Sequence, residues 1–165
     1  MYMDSNKTIW ITAAGLILLS MILIVLLGLL AIGAFPMVIG EVQTAAVCML
    51  IGGIGGLIYC LRGVYLNACV KKSWDTGWIP WYFIRPFVSF MLGGISYLFV
   101  KTGLLLLGAA EQPDSSQLGV WVIAFLAGLN VDKFVARIES IGQTVWGLEP
   151  SRQSRSGNSE GNKHE

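Results

Sequence analysis

Long apolar runs dominate the pattern of the chain. The first, residues 9–33, is uncharged throughout, and about 25 helical residues cover more than the ~30 Å of a bilayer core. The second, 44–66, is broken only by Arg62 near its end, and the third, 87–110, is interrupted by Lys101. A fourth, 118–131, is short for a crossing. Starting it at Ser116 and letting Lys133 snorkel extends it to 116–131. The expected fold is all-α: a polytopic membrane protein with four transmembrane helices and a cytoplasmic amphipathic helix. Lys7 and Ala31-Ile32-Gly33 give the first run some features of a secretory signal. Its apolar stretch far exceeds the roughly 7–15 residues of such a signal, which favours an uncleaved helix.

Two segments depart from the simple apolar pattern. In residues 71–86, KKSWDTGWIPWYFIRP, Trp74, Trp78, Trp81 and Tyr82 recur at helical spacing beside Lys71, Lys72 and Arg85. Tryptophan favours the headgroup level and cations favour anionic lipid, so the segment reads as an interfacial anchor or as a lipid or partner docking surface. Pro80 and Pro86 push Ile79 and Arg85 towards extended geometry, which predicts a short helical turn and a bend rather than one continuous helix. After Gly128, where a kink is allowed, Val131, Phe134, Val135, Ile138, Ile141 and Val145 recur every three or four residues. They predict an amphipathic helix over 131–146, N-capped by Asn130, with Asp132 favourable in its first turn. It would lie on the inner leaflet, cover the base of the bundle or bind a partner helix. From Glu149 the chain is polar, predicting a membrane domain over 1–148 and a disordered cytoplasmic tail over 149–165.

Composition agrees with a membrane setting. Of 165 residues, 55% are hydrophobic and 13% charged, mean hydropathy is +0.66, and there are 20 glycines. Soluble domains carry about 25% charged residues and ~7% glycine. The formal charge of +1 gives no electrostatic basis for a nucleic-acid partner. The distribution of charge matters more than its total. With a cytoplasmic N-terminus, ten of the eleven Lys and Arg residues fall on the inner side, Lys101 being the exception. The outer loops hold Glu41, Glu111 and Asp114 and no cation. Both termini are therefore expected in the cytoplasm.

Candidate chemistry is sparse. The single histidine, His164, is in the tail, which argues against Ser-His-Asp or Cys-His catalysis. Cys48 and Cys60 lie about 18 Å apart along a helix and cannot bridge, while Cys69 belongs to the reducing cytoplasmic side. No Cys/His spacing suggests zinc, and Gly52-Gly53-Ile54-Gly55-Gly56 lacks the context of a phosphate loop. No catalytic, cofactor or metal site is predicted, and no enzyme activity is expected.

The glycines suit helix packing instead. Ala45, Cys48, Gly52, Gly56, Tyr59 and Gly63 share one helical stripe, with Gly52 and Gly56 forming GxxxG. Ser89 with Gly93, and Ala124 with Gly128, offer similar surfaces. These would pack spans two to four within one chain or, alternatively, make a homo-oligomer. The first span, dense in Leu and Ile, suits lipid contact. Lys101 reads as an intramembrane charge about nine residues, or ~13 Å, below the outer end of the third span. Its helical face carries Gly94, Tyr97 and Gly108, and Glu41 is the nearest acidic candidate. It either snorkels and satisfies itself on carbonyls or marks a functional site. Arg62, the second such charge, reads as a snorkelling anchor.

The stretches GGIGGLIYCLRG, WIPWYFIRPFVSFMLGGISYLFVKTGLLLL and AFLAGLNVDKFVARIESI together resemble a loose group of uncharacterised bacterial inner-membrane proteins. The resemblance covers residues 50–146 and implies architecture and a bacterial inner-membrane location, with no activity attached. Small multidrug transporters resemble the chain less, since they carry an acidic residue in the first span and residues 9–33 have none. Two functions follow as expectations. One is a binding, scaffold or accessory subunit whose inner face meets a cytoplasmic or membrane partner. The other is an oligomeric pore, channel or holin-like protein using Lys101.

Overall fold

The computed structural model describes residues 5–34, 40–72, 74–103 and 117–147. The tail 149–165, residues 104–110 assigned to the third span, Ser116, Glu111 and Asp114 lie outside the described residues. The described residues form five α-helices: α1 Ser5–Ala31, α2 Glu41–Tyr65, α3 Ile79–Lys101, α4 Gln117–Leu129 and α5 Val131–Trp146. No strand occurs among the described residues. Among the described residues, three helical segments are long and apolar enough to cross a membrane, or four if α4 and α5 count as one broken span. The chain divides into two units at Leu129 and Asn130.

The helix ends explain where the sequence reading shifts. α2 begins just after Gly40, whose φ of 67° suits glycine, and its first turn closes through Thr44 N–H donating to the Gly40 carbonyl at 3.2 Å. Its other end widens into a π-helical turn, Leu66–Val70, closed by Lys71 N–H on the Leu66 carbonyl at 2.8 Å. Lys72 then adopts φ 50°, the left-handed geometry that stops the helix.

α3 is the main correction. It starts at Ile79, eight residues before the expected 87, and runs unbroken through Pro86. Pro80 sits in the first turn, where amide donors have no helical acceptor anyway. Pro86 is buried within the helix, a position membrane helices tolerate when neighbouring elements support the backbone. The helix ends at Lys101, followed by Thr102 and by Gly103 at φ 73°. Lys101 is therefore the last residue of α3.

α4 has 13 residues, about 20 Å of helix, less than a bilayer core by itself. In the second unit, Asn130 holds the N-cap position of α5 without a side-chain capping bond. The first turn closes through Phe134 N–H on the Asn130 carbonyl at 2.9 Å, and left-handed Gly147 ends the helix.

Within the first unit α2 is central, packed by α1, α3 and α4. α1 buries a stripe of Thr8, Thr12 and Leu16, where Leu16 joins Leu57, Cys60, Val64 and Tyr82. Further along, Leu30 meets Val47 and Leu50, and Gln43 Nε2 donates to the Leu30 carbonyl at 3.3 Å. The remaining faces of α1 expose Ile, Leu, Met and Val, an outer surface suited to hydrocarbon.

α2, α3 and α4 meet backbone to backbone. A methyl group on Gly52 would lie 2.7 Å from both the Gly93 Cα and the Ser89 carbonyl oxygen. One on Gly55 would lie 2.6 Å from the Phe125 carbonyl oxygen, and one on Gly128 would collide with the Gly52 carbonyl. Gly56 is packed on the Ser89 side chain, whose Oγ donates to the Gly128 carbonyl at 2.9 Å and ties α3 to α4. The structure thus brings Gly52, Gly56, Gly93 and Gly128 together inside one chain.

Gly52→Ala should destabilise the fold by about 1–3 kcal/mol, because the obstructing atoms are backbone and cannot rotate away. Gly28→Ala, with no atom within 4 Å of the added carbon, serves as the control. Denaturant titration of the two variants in detergent checks the difference; equal midpoints would contradict the close packing.

Candidate functional site

The end of α2, the π-helical turn and the start of α3 border an open cavity of about 370 Å³. Tyr59, Trp78, Trp81 and Tyr82 supply aromatic walls, while Arg62, Asn67 and Lys71 bring donors. An adjoining cavity of about 360 Å³ shares Asn67, Lys71, Trp78 and Tyr82 and adds Trp74 and Asp75.

Local structure positions each of these groups. The π-helical turn carries Asn67, whose Nδ2 donates to the Tyr82 hydroxyl at 3.0 Å. That bond links the end of α2 to the start of α3 and satisfies an amide that apolar surroundings would otherwise penalise. Asp75 Oδ1 accepts from Gly77 N–H at 2.9 Å, and Trp78 N–H donates to the Asp75 carbonyl at 3.3 Å. This turn leads directly into α3. The aromatic rings interlock: Trp74 stacks on Tyr82 at 5.8 Å, while Trp81 meets Tyr82 edge-on at 5.4 Å and Trp78 at 6.4 Å. Trp78 remains 54% exposed at the rim.

Arg85 differs from the other cations of this segment. It is only 7% exposed, so it is not an open contact for lipid or partner. Its guanidinium carbon sits 3.8 Å from the Tyr59 ring centre and 4.8 Å from that of Trp81. A planar, delocalised cation suits this arrangement, since it stacks on aromatic faces while shedding water at modest cost. Arg85 therefore supports two walls of the cavity from behind. Lys72 is exposed and lines neither cavity, so Lys71, Trp74, Trp78 and Trp81 are the expected interfacial residues that converge here.

Lys101 belongs to a separate cluster. Its Nζ lies 2.7 Å from Glu41 Oε2, and the Tyr97 hydroxyl donates to the same oxygen. The pair joins the start of α2 to the end of α3, with 51% of the lysine side chain exposed. Gly108, expected on the same face, lies outside the described residues.

The sequence pattern alone does not single out Asn67 and Asp75. The available signal was Asn67, a lone amide at the end of an apolar run that needs a partner. Chemically, the cavity offers cationic and amide donors, aromatic faces and one carboxylate. Among the described residues no group of three or more His, Cys, Asp or Glu residues is placed to hold a metal ion. Comparison with protein-family models, curated proteins and solved structures gives no match.

Arg85→Met, which removes the contacts to both rings together with the cation itself, should lower stability by about 1–2 kcal/mol. Lys72→Met should leave it unchanged. Unfolding of both variants in the same detergent tests this, and an unaffected Arg85→Met protein would remove Arg85 from its supporting role.

Proposed function

We propose that this chain is a binding or accessory subunit of a bacterial inner membrane, with both termini in the cytoplasm. Its activity is to engage another molecule rather than to transform one. The observation that carries this reading is the open aromatic and cationic cavity where α2 turns into α3. The positive-inside distribution supports placing that turn on the cytoplasmic side, with Arg62 and Lys71 at the headgroup level. Independently, α5 combines an apolar stripe with polar faces and leaves Val135 and Val145 exposed, a pattern suited to helix-in-groove recognition.

The oligomeric pore is the weaker reading. Lys101, its proposed functional charge, is engaged by Glu41, and the close glycine contacts leave no lumen between α2, α3 and α4. A conducting path would need surfaces other than these.

Two measurements test the proposal. Cys69 is exposed whereas Cys48 and Cys60 are buried. A membrane-impermeant maleimide should label Cys69 in inside-out vesicles and leave it unlabelled in intact cells; the reverse pattern would overturn the orientation. For the partner, Val135→Glu/Val145→Glu should abolish stoichiometric co-purification from native membranes in mild detergent while leaving membrane insertion intact. A partner retained at full stoichiometry would rule out the α5 stripe as its docking surface.

A further inference from the structure

We infer that the cavity between α2 and α3 binds the phosphodiester headgroup of a monoanionic glycerophospholipid. Three independent features point there. The first is position. The cavity forms at the ends of two helices long enough to cross a bilayer, so an occupant lies at headgroup depth and its acyl chains can follow the apolar helix faces.

The second is charge. Arg62 and Lys71 against Asp75 leave one net positive charge on the combined lining, matching one phosphodiester anion. A dianionic phosphomonoester would exceed it. Guanidinium and ammonium groups supply charge-assisted donors to phosphate oxygens, and Asn67 lies between them in sequence on the same wall.

The third is an unmet donor. Trp74 Nε1 is buried without a hydrogen-bond partner, and Trp74 lines the adjoining cavity. Leaving such a group unsatisfied is costly, and a headgroup oxygen that reaches the indole edge would relieve that cost. The aromatic walls then hold the glycerol backbone, since indole and phenol rings combine an apolar face with a polar edge.

This inference rests on the membrane orientation proposed above but not on the existence of a protein partner. Loss of lipid binding and loss of co-purification are therefore separate outcomes. The test is native mass spectrometry of the full chain released from uncharged detergent, with phosphatidylglycerol, phosphatidylcholine, phosphatidic acid or inorganic phosphate added. The expected result is one retained phosphatidylglycerol, with apparent affinity reduced about tenfold or more in Arg62→Gln/Lys71→Gln, which loses both charge-assisted contacts. Lys7→Gln/Lys133→Gln removes the same charge elsewhere and should bind as the unaltered chain does. Trp78→Leu, at the exposed rim, should also weaken binding and covers the case in which the double variant fails to fold.

Several outcomes would overturn the assignment. Equal retention by the two double variants would show that the cavity is not the site. Equal binding of phosphatidylcholine would refute selection by net charge, and tighter binding of phosphatidic acid would refute the monoanionic match. Displacement by inorganic phosphate at lipid concentrations would make this a site for a soluble phosphate.

Discussion

In lipid, helices gain little by hiding apolar surface from one another, so their spacing depends on how closely the backbones can approach. Gly52, Gly93 and Gly128 set that distance for α2, α3 and α4, and Ser89 adds a directional bond from α3 to the Gly128 carbonyl. The rest of the first unit follows from this contact. With α2 and α3 held together at mid-length, their ends are fixed relative to one another. The π-helical turn and the turn at Asp75 then close a short connection between them. The cavity is the space left where the connection stands off the helices.

The two ends of the α2–α3 pair treat charge differently. At one end the exposed Lys101 and Glu41 meet as opposite charges, a pair that water and salt readily screen, while the buried Tyr97 donates its hydroxyl to the same carboxylate. At the other, Arg85 is withdrawn from solvent, and the Tyr59 and Trp81 rings face its guanidinium. Arg62 and Lys71 stay exposed in front of it. This division, with one cation used for structure and two available, gives the cavity its chemical character.

Much of the helical framework is legible in the sequence because a bilayer imposes so plain a pattern. The uncharged run in α1 and the three-to-four residue repeat of α5 each need only local periodicity. The glycine stripe is equally visible, although which backbones it meets requires the fold. Residues 79–86 are the instructive failure. Pro80 and Pro86 signal a break in water, where a lost amide donor and a steric clash decide the matter, yet burial among neighbouring helices keeps α3 continuous. The helix consequently starts eight residues earlier than the apolar run suggests and ends at Lys101. The cavity was only partly legible: its tryptophans and cations stand out, but Asn67 gains meaning only once the π-helical turn brings it to Tyr82.

The continuity of α3 through Pro86 has a mechanical side. A proline nitrogen cannot donate to the carbonyl four residues earlier, so the helix lacks one axial tie at the level of Tyr82. Below that point the helix carries Trp81 and Tyr82 of the cavity wall; above it lie Ser89 and Gly93, locked against α2 and α4. Pro86 thus separates the cavity-bearing turns from the clamped ones, and at that level α3 depends on sideways packing rather than on its own axial bond.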